Sequence, residues 1–380
     1  MKKIRVMSVF GTRPEAIKMC PLVLELQSRP EFESIVCVTA QHREMLDSVL
    51  ETFGVKPDYD LDIMEKGQTL ASITAKVLGL LGGVIREAKP DIVLVHGDTT
   101  TTFVSALAAF YEQVPVGHVE AGLRTFTRYS PFPEEMNRCL VGRIAEYHFA
   151  PTAQNKMNLT REAIAGQIYI TGNTVIDAMK YTVNDEPFTE PRLNDIDFSR
   201  RVITLTCHRR ENYGKPMEDI FTAVADVAKA FPDTLTVYPV HLSPTVRECA
   251  ARFLGGIDNV MLIDPLDAMD MHKLMDRSYM VMTDSGGLQE EAPALGKPVL
   301  VLRLETERPE AIEAGTVKLA GIDRDNIFRL ASELLTDSEA YAAMARAVNP
   351  YGDGEACGRI ADALLYGFGL RDSAPEDFTT

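Results

Sequence analysis

Short apolar runs alternate with longer segments of helical periodicity along the chain. The runs form two series, the first at residues 4–10, 35–39, 92–96, 116–119 and 168–171, and the second at 202–206, 235–239, 260–263, 280–283 and 298–302. Short apolar runs between helical segments are typical of buried parallel strands joined by crossover helices. The pattern therefore predicts an α/β fold with two doubly wound domains.

A polar, proline-containing stretch at residues 184–199 separates the two series, and the apolar periodicity lapses there. A chain of 380 residues also exceeds what one hydrophobic core usually organises. We predict a first domain at 1–172 and a second at 173–356. The remaining segment, 357–380, is expected to form a helix that crosses back to the first domain and then a tail.

Composition limits the classes of partner and cofactor. The formal net charge of −16 disfavours nucleic acids and anionic membranes as partners, because both require a broad positive field. The six cysteines include no C-x-x-C pair, so the sequence indicates neither a zinc site nor dithiol chemistry. The apolar stretch that ends at Gly11 is too short for a signal peptide or a membrane span, and we expect a cytoplasmic protein.

Three acidic positions stand at successive strand-end or loop sites in the first half of the chain. Asp98 follows one apolar run, Glu120 ends the run VGHVE, and Glu134 opens the Glu-Glu helix start of YSPFPEEMNR. Open parallel sheets bind ligands at the carboxyl ends of their strands. Each residue alone is also explained as a helix cap or a partner of a helix dipole. Together they favour a shared catalytic edge.

Basic residues follow the first strand of each series. Arg13 and Lys18 lie in GTRPEAIKM, where they either flank an anion or are solvated charges of an ordinary strand-to-helix turn. His208 is followed by two arginines in TCHRRENYG. A single histidine is more often structural, but beside two arginines in a strand-end loop it suits a phosphate or a leaving group.

The segment TDSGGLQEEA combines a glycine pair with acidic residues at a helix start. Ser285, Gly286 and Gly287 offer backbone N–H groups to a phosphate. Glu291 suits ribose hydroxyls, although a solvated helix face explains it as well. Arg308 in LETERPEA is either a further ligand of the anion or half of a surface ion pair.

Together these segments closely resemble the bacterial non-hydrolysing UDP-N-acetylglucosamine 2-epimerases. The matching motifs stand in the order of that family over nearly the whole chain: GTRPEAIKM, TAQHREMLD, HGDTTTT, GHVEAGLRT, SPFPEEMNR, TGNTVIDA, HRREN, YPVHLSP, TDSGGLQEEAP, GKPVLV, TERPEA and NPYGDG. The resemblance implies a glycosyltransferase-B-like pair of Rossmann-like domains, UDP held mainly by the second, the sugar in the interdomain cleft, and a homodimer. It also implies a role in cell-envelope polysaccharide biosynthesis.

The resemblance assigns roles to individual positions. It implies catalytic acidic residues at Asp98, Glu120 and Glu134 and a UDP-contacting catalytic histidine at His208. The cleft lining that it implies comprises Arg13, Lys18, Arg138, Ser285, Gly286, Gly287, Glu291 and Arg308. A second UDP-N-acetylglucosamine, bound as an allosteric activator, would contact Gln41, His42, Gln68 and His241. Cys207 departs from the family, in which many members have glycine, and a side chain there is expected to narrow the pocket or restrict the backbone.

The implied reaction is reversible 2-epimerisation of UDP-N-acetylglucosamine to UDP-N-acetylmannosamine through a glycal. The C2 proton becomes acidic only when UDP departs from C1, and carboxylates then stabilise the cation and accept the proton. No hydride moves, so no nicotinamide is required, and the sequence contains no metal-ligand spacing that would indicate a metal. Three alternatives remain: a hydrolysing 2-epimerase, a glycosyltransferase of the same fold, and a non-catalytic nucleotide-sugar sensor.

Overall fold

Two parallel sheets flanked by helices organise the chain in a computed structural model that describes residues 3–40, 43–65 and 67–379. Contacts between residues divide it into two compact units. The first unit runs to Tyr181 and includes Tyr351–Thr379, and the second is Thr182–Pro350. The predicted α/β fold with two doubly wound, Rossmann-like domains is confirmed.

The first unit contains a sheet of the order β3-β2-β1-β4-β5-β6-β7 within the described residues. Its strands are β1 (Ile4–Phe10), β2 (Phe32–Val38), β3 (Tyr59–Asp60), β4 (Ile92–His96), β5 (Val116–Val119), β6 (Tyr147–Ala150) and β7 (Gln167–Ile170). The helices between and after them are α1 (Arg13–Ser28), α2 (Arg43–Phe53), α3 (Leu70–Ala88), α4 (Thr100–Tyr111), α5 (Glu134–Ile144), α6 (Ala153–Arg161) and α7 (Thr174–Thr182).

The second unit repeats this plan with the strand order β10-β9-β8-β11-β12-β13. Its strands are β8 (Arg201–Thr206), β9 (Thr234–Pro239), β10 (Val260–Ile263), β11 (Met280–Thr283), β12 (Val299–Val301) and β13 (Val317–Leu319). Its helices are α8 (Pro191–Asn194), α9 (Lys215–Ala230), α10 (Pro244–Leu254), α11 (Ala268–Asp276), α12 (Leu288–Ala294), α13 (Pro309–Glu313), α14 (Arg324–Thr336) and α15 (Ser338–Ala345). A 3₁₀ turn at Arg210–Asn212 follows β8.

The strand order reverses beside the first strand of each sheet, between β1 and β4 and between β8 and β11. At such a switch point the connections leave in opposite directions, and the strand ends open a crevice that binds ligands in doubly wound proteins. Helices cover the sheets, and apolar residues from strands and helices form a core in each unit. These cores fix the strand ends and so position the loops that follow them.

The first boundary between the units falls nine residues after the predicted 172/173, and the second falls six residues before the predicted 356/357. Helix α7 belongs to the first unit because the Asp177 carboxylate accepts hydrogen bonds from the backbone N–H groups of Ala356 (3.2 Å) and Cys357 (2.9 Å). The last helix, α16 (Ala356–Gly367), packs against α1, where Arg29 Nη1 donates to Asp362 Oδ1 at 2.6 Å. None of the helices in the described ranges combines the length and apolar character needed to cross a bilayer.

Candidate functional site

Glu120 lies immediately after β5 at the switch-point edge of the first sheet. Its backbone has a φ of 62°, in the left-handed region that residues other than glycine seldom adopt. The conformation costs on the order of 1 kcal/mol and persists only where the surrounding structure imposes it, as happens at functional sites. The side chain is mostly buried, at 15% exposed.

Two side chains from different elements donate hydrogen bonds to the Glu120 carboxylate, and a third lies close to it. Lys18 Nζ, from α1, and Asn173 Nδ2, at 3.0 Å, both donate to Oε1. Buried His96 places Nε2 3.4 Å from Oε2. The ammonium of Lys18 favours the ionised carboxylate. Glu120 is therefore a fixed, negatively charged group at the sheet edge.

Asp98 lies next to Gly97, at the end of β4, and has its own cation. Arg138 Nε donates to Asp98 Oδ2 at 2.8 Å, and Asn137 Nδ2 donates to the Asp98 backbone carbonyl at 2.8 Å. A Cβ on Gly97 would lie 3.5 Å from Glu120 Oε2. Two of the three carboxylates predicted as catalytic, Asp98 and Glu120, thus stand at neighbouring strand ends, and each is paired with a Lys or Arg side chain.

The two glutamates that open α5 differ in their surroundings. Glu135 is buried and accepts hydrogen bonds from the backbone N–H groups of Thr125 and Phe126, both at 3.0 Å, and from Arg138 Nη1 at 3.3 Å. It therefore holds the preceding loop. Glu134 is half-buried. Of the two, Glu134 keeps the accessibility that contact with a ligand requires.

Sequence reasoning missed Glu15, which connects the turns after β1 and β4. Glu15 Oε2 accepts from the N–H groups of Gly11 and Thr12, both at 2.8 Å, and Oε1 accepts from Thr99 Oγ1 at 2.6 Å and Thr102 Oγ1 at 3.1 Å. Thr12 and Glu15 form a capping box at the start of α1, a signal that is visible in GTRPE. Arg13 is the first residue of this helix and is half-buried.

In the second unit, Asp284 directly follows β11 and connects the loop after β11 to the loop after β8 by hydrogen bonds. Its Oδ2 accepts from the backbone N–H groups of His208 and Arg209, both at 2.8 Å, and from Asn212 Nδ2 at 3.1 Å. The His208 ring stacks on His241 with centroids 5.4 Å apart and an interplanar angle of 10°. Sequence reasoning missed Asp284, although it precedes the predicted Ser285-Gly286-Gly287 segment.

Two guanidinium groups face the glycine turn before α12. A Cβ on Gly286 would lie 3.7 Å from Arg209 Nη2 and 3.9 Å from Arg308 Nη2, so a side chain there would occupy the space that they border. Arg308 is held by its Nε, which donates to Glu290. Glycine backbone and guanidinium groups together suit a diphosphate. Arg209 was noticed in the sequence only as a neighbour of His208.

The other predicted ligand residues occupy separate places. Glu291 lies in the first turn of α12, and its Oε2 is 3.3 Å from His272 Nε2. Gln68 donates its side-chain amide to the Ile63 carbonyl in the first unit, whereas His241 belongs to the second and stacks on His208. Gln41 and His42 lie outside the described residues.

The structure contradicts one of the two effects expected of Cys207, the narrowing of a pocket. Its side chain is fully buried in the core of the second unit, beside Asn212 Nδ2 at 3.9 Å, and its carbonyl accepts from Tyr238 Oη at 2.5 Å. Burial raises the pKa of the Cys207 thiol well above its usual value. The side chain therefore supports the loop from inside the core.

Histidines on three adjoining strands of the first sheet are buried and neutral. Burial lowers the pKa of His96 to about 4 and that of His118 to about 3, and it also lowers the pKa of His148. His118 Nε2 lies 2.7 Å from the Gly97 carbonyl and so carries the ring proton. No group of three His, Cys, Asp or Glu side chains within the described ranges has the arrangement of a metal site.

Comparison with known proteins points to one group. A family model described as UDP-N-acetylglucosamine 2-epimerase matches residues 24–365. The UDP-N-acetylglucosamine 2-epimerase of Bacillus subtilis is 57% identical over 380 residues, which cover 100% of both chains. The Neisseria meningitidis UDP-GlcNAc 2-epimerase bound to UDP-GlcNAc is a structural neighbour with a TM-score of 0.85 and 49% identity, covering 96% of this chain and 100% of that one. The S. aureus MnaA–UDP co-structure has a TM-score of 0.88 and 51% identity, and both chains are covered to 100%.

Proposed function

The chain belongs to the UDP-N-acetylglucosamine 2-epimerase family, and from this premise we propose that it interconverts UDP-N-acetylglucosamine and UDP-N-acetylmannosamine without net hydrolysis. The route is elimination of UDP to a glycal, followed by re-addition after the proton returns to the other face of C2. The observation that carries this proposal is the pair of carboxylates, Asp98 and Glu120, each beside a basic side chain at neighbouring strand ends.

The chemistry requires anionic groups near the sugar. When the C1–O bond breaks, its electron pair leaves with UDP, and C1 develops positive charge that acidifies the C2 proton. Carboxylates stabilise that charge and act as base and acid. In our assignment Glu120 and Asp98 perform these steps together with Glu134. Lys18 and Arg138 orient the first two through ion pairs.

The leaving UDP requires cations. We assign its diphosphate to the glycine turn at Gly286 and Gly287, flanked by Arg209 and Arg308, and we assign His208 to the same group. Anionic oxygens are stabilised by guanidinium groups and by N–H groups at a helix start. Glu291 is assigned to the ribose.

Three alternatives differ from this proposal either in the fate of UDP or in the need for proton transfer. A glycosyltransferase would need an acceptor hydroxyl in place of the second proton transfer, and a sensor would need no fixed carboxylates. A hydrolysing epimerase would let water trap C1 and would release free N-acetylmannosamine. The paired Asp98 and Glu120 favour proton transfer over either of the first two.

We expect turnover in deuterium oxide to place deuterium at C2 of the product, because the abstracted proton exchanges on a carboxylate before a proton returns. Proton NMR of UDP-N-acetylglucosamine incubated with the protein measures this and also detects free sugar, an acceptor product or no change. Full retention of protium at C2 would contradict the elimination route. Accumulation of free N-acetylmannosamine would instead identify the hydrolysing enzyme.

Activation by a second UDP-N-acetylglucosamine is also part of the proposal. We expect UDP-N-acetylmannosamine alone to react very slowly and a trace of UDP-N-acetylglucosamine to start the reaction, because an effector must favour one state by differential affinity. Gln68→Ala should reduce this stimulation more than it weakens the binding of UDP. It is a cleaner variant than His241→Ala, because His241 stacks on His208. Immediate full-rate conversion would exclude an activator.

A homodimer is proposed through the outer face of α3, α4 and α5. Phe110 and Tyr111, both more than half exposed, lie at the end of α4, with exposed Leu80 on α3 and Leu140 on α5. Exposed apolar side chains on adjoining helices are typical of an interface. Phe110→Glu should lower the mass found by analytical ultracentrifugation from dimer to monomer. Val348→Glu, which adds the same charge at an exposed apolar site of the second unit, should leave the mass unchanged.

A further inference from the structure

The side chain of Asp284 is fully buried beneath the two loops to which we assign UDP. The three N–H donors on its Oδ2 come from His208, Arg209 and Asn212. A buried carboxylate is stable only when it is hydrogen-bonded or paired. These hydrogen bonds offset the cost of burying one carboxylate oxygen, Oδ2, and they also fix the conformation of the loop that carries His208.

The second oxygen of Asp284 is aimed at the imidazole of His208. Among the described residues Oδ1 has no hydrogen-bond partner, although the atom is buried. His208 Nδ1 lies 3.4 Å from it. A carboxylate at this position favours the Nδ1–H tautomer or the imidazolium, in the way that a buried Asp orients a catalytic histidine. Nε2, on the other side of the ring, then serves the ligand.

We infer that Asp284 is a positioning residue that orients His208 and enables it to take up a proton when UDP binds. This inference rests on the proposed function for the identity of the ligand. The proton comes from solvent and adds to the lone pair of Nε2. The resulting imidazolium donates Nδ1–H to Asp284 and Nε2–H to the diphosphate.

The charges around His208 agree with this assignment. Burial lowers the pKa of His208, the Asp284 carboxylate opposes that effect, and His241 and Arg209 lower the pKa further. A bound diphosphate adds negative charge and so favours the imidazolium. The imidazolium would then stabilise the charge that grows on UDP as the C1–O bond breaks.

Isothermal titration of UDP in two buffers of different ionisation enthalpy tests this inference. A terminal phosphate on a protein side chain has a second pKa of about 6, so near pH 7.5 the terminal phosphate of UDP is expected to be mostly ionised and uptake on the protein dominates. The wild type should show a buffer-dependent enthalpy equivalent to uptake of up to about one proton per site. Asp284→Asn and His208→Asn should both abolish that dependence and still bind UDP. Unchanged uptake in Asp284→Asn would overturn the inference.

A double-mutant cycle and a matched control separate positioning from loop support. Asp284→Asn should lower kcat by about tenfold to a hundredfold in the wild type and by almost nothing when His208 is already Asn, because the two residues act as one unit. An equal loss in both backgrounds would show that Asp284 does not act through His208. Asn212→Ala removes a loop contact of the same carboxylate but not the approach to Nδ1, and it should leave proton uptake intact. Absence of UDP binding in the wild type would contradict the proposed function instead.

Discussion

Glu120→Gln is expected to lower turnover by about a hundredfold or more, because acid–base groups contribute on that order. The amide keeps the size of the side chain but removes the charge held by Lys18 and the capacity to accept the C2 proton. Asp98→Asn and Glu134→Gln are expected to act similarly. Steady-state kinetics gives the turnover, and calorimetric titration gives the affinity for UDP, which should stay nearly unchanged.

Arg308→Ala is the matched contrast from the second unit. Its guanidinium faces the Gly286 turn, so its removal should weaken UDP binding, with turnover at saturation reduced much less than in the carboxamide variants. Reversal of the two patterns, with UDP affinity lost in Glu120→Gln and turnover lost in Arg308→Ala, would reverse the roles assigned here. Glu135→Gln should chiefly lower stability, because Glu135 holds the N–H groups of Thr125 and Phe126.

The stability of the protein should fall steeply as the pH decreases from about 6.5 to about 4. His96 and His118 have pKa values lowered to about 4 and about 3 in the folded protein, whereas in the unfolded chain they titrate near 6.5. In this interval the unfolded chain binds protons that the folded one does not, so the free energy of unfolding decreases by about 1.4 kcal/mol per pH unit for each histidine. Above about pH 6.5 these histidines are neutral in both the folded and the unfolded protein, so they no longer make the free energy of unfolding depend on pH.

Urea unfolding followed by circular dichroism at a series of pH values measures this dependence. His118→Asn removes one titrating group without adding a charge, so its stability should change less with pH than that of the wild type, whatever its absolute stability. Parallel pH profiles for the two proteins would mean that the buried histidines do not cause the acid sensitivity.

Most of the fold was predictable because most strands that are covered on both faces leave an apolar run. The strands that the pattern missed are β3, β6 and β13. β6 contains His148, and β13 has Lys318 at its centre, so neither gives an uninterrupted apolar run. β3 has two residues and pairs only with the end of β2. Its existence depends on that neighbour rather than on its own sequence.

The candidate site was predictable where a residue type and its place after a strand suffice, as for Asp98, Glu120 and Ser285. Partner choice was not predictable. Lys18 and Glu120 are 102 positions apart, and Asp284 and His208 are 76 apart; both pairs meet only because the strand order places their loops together. The different roles of Glu134 and Glu135 were likewise not predictable. Glu135 is distinguished by its hydrogen bonds from the backbone of residues 125–126, and nothing in the sequence of those residues indicates this contact.

The division of the chain has a consequence for biosynthesis. The first unit is discontinuous, because its C-terminal portion, Tyr351–Thr379, is separated from the rest by the whole of the second unit. A ribosome therefore releases a complete second unit, Thr182–Pro350, while α1 still lacks the helix that supplies Asp362 to Arg29. Domains generally fold as units during synthesis. The second unit is therefore expected to finish folding before the first, although most of the first unit is synthesised earlier. Tyr351–Thr379, which is synthesised after the second unit, then completes the first unit.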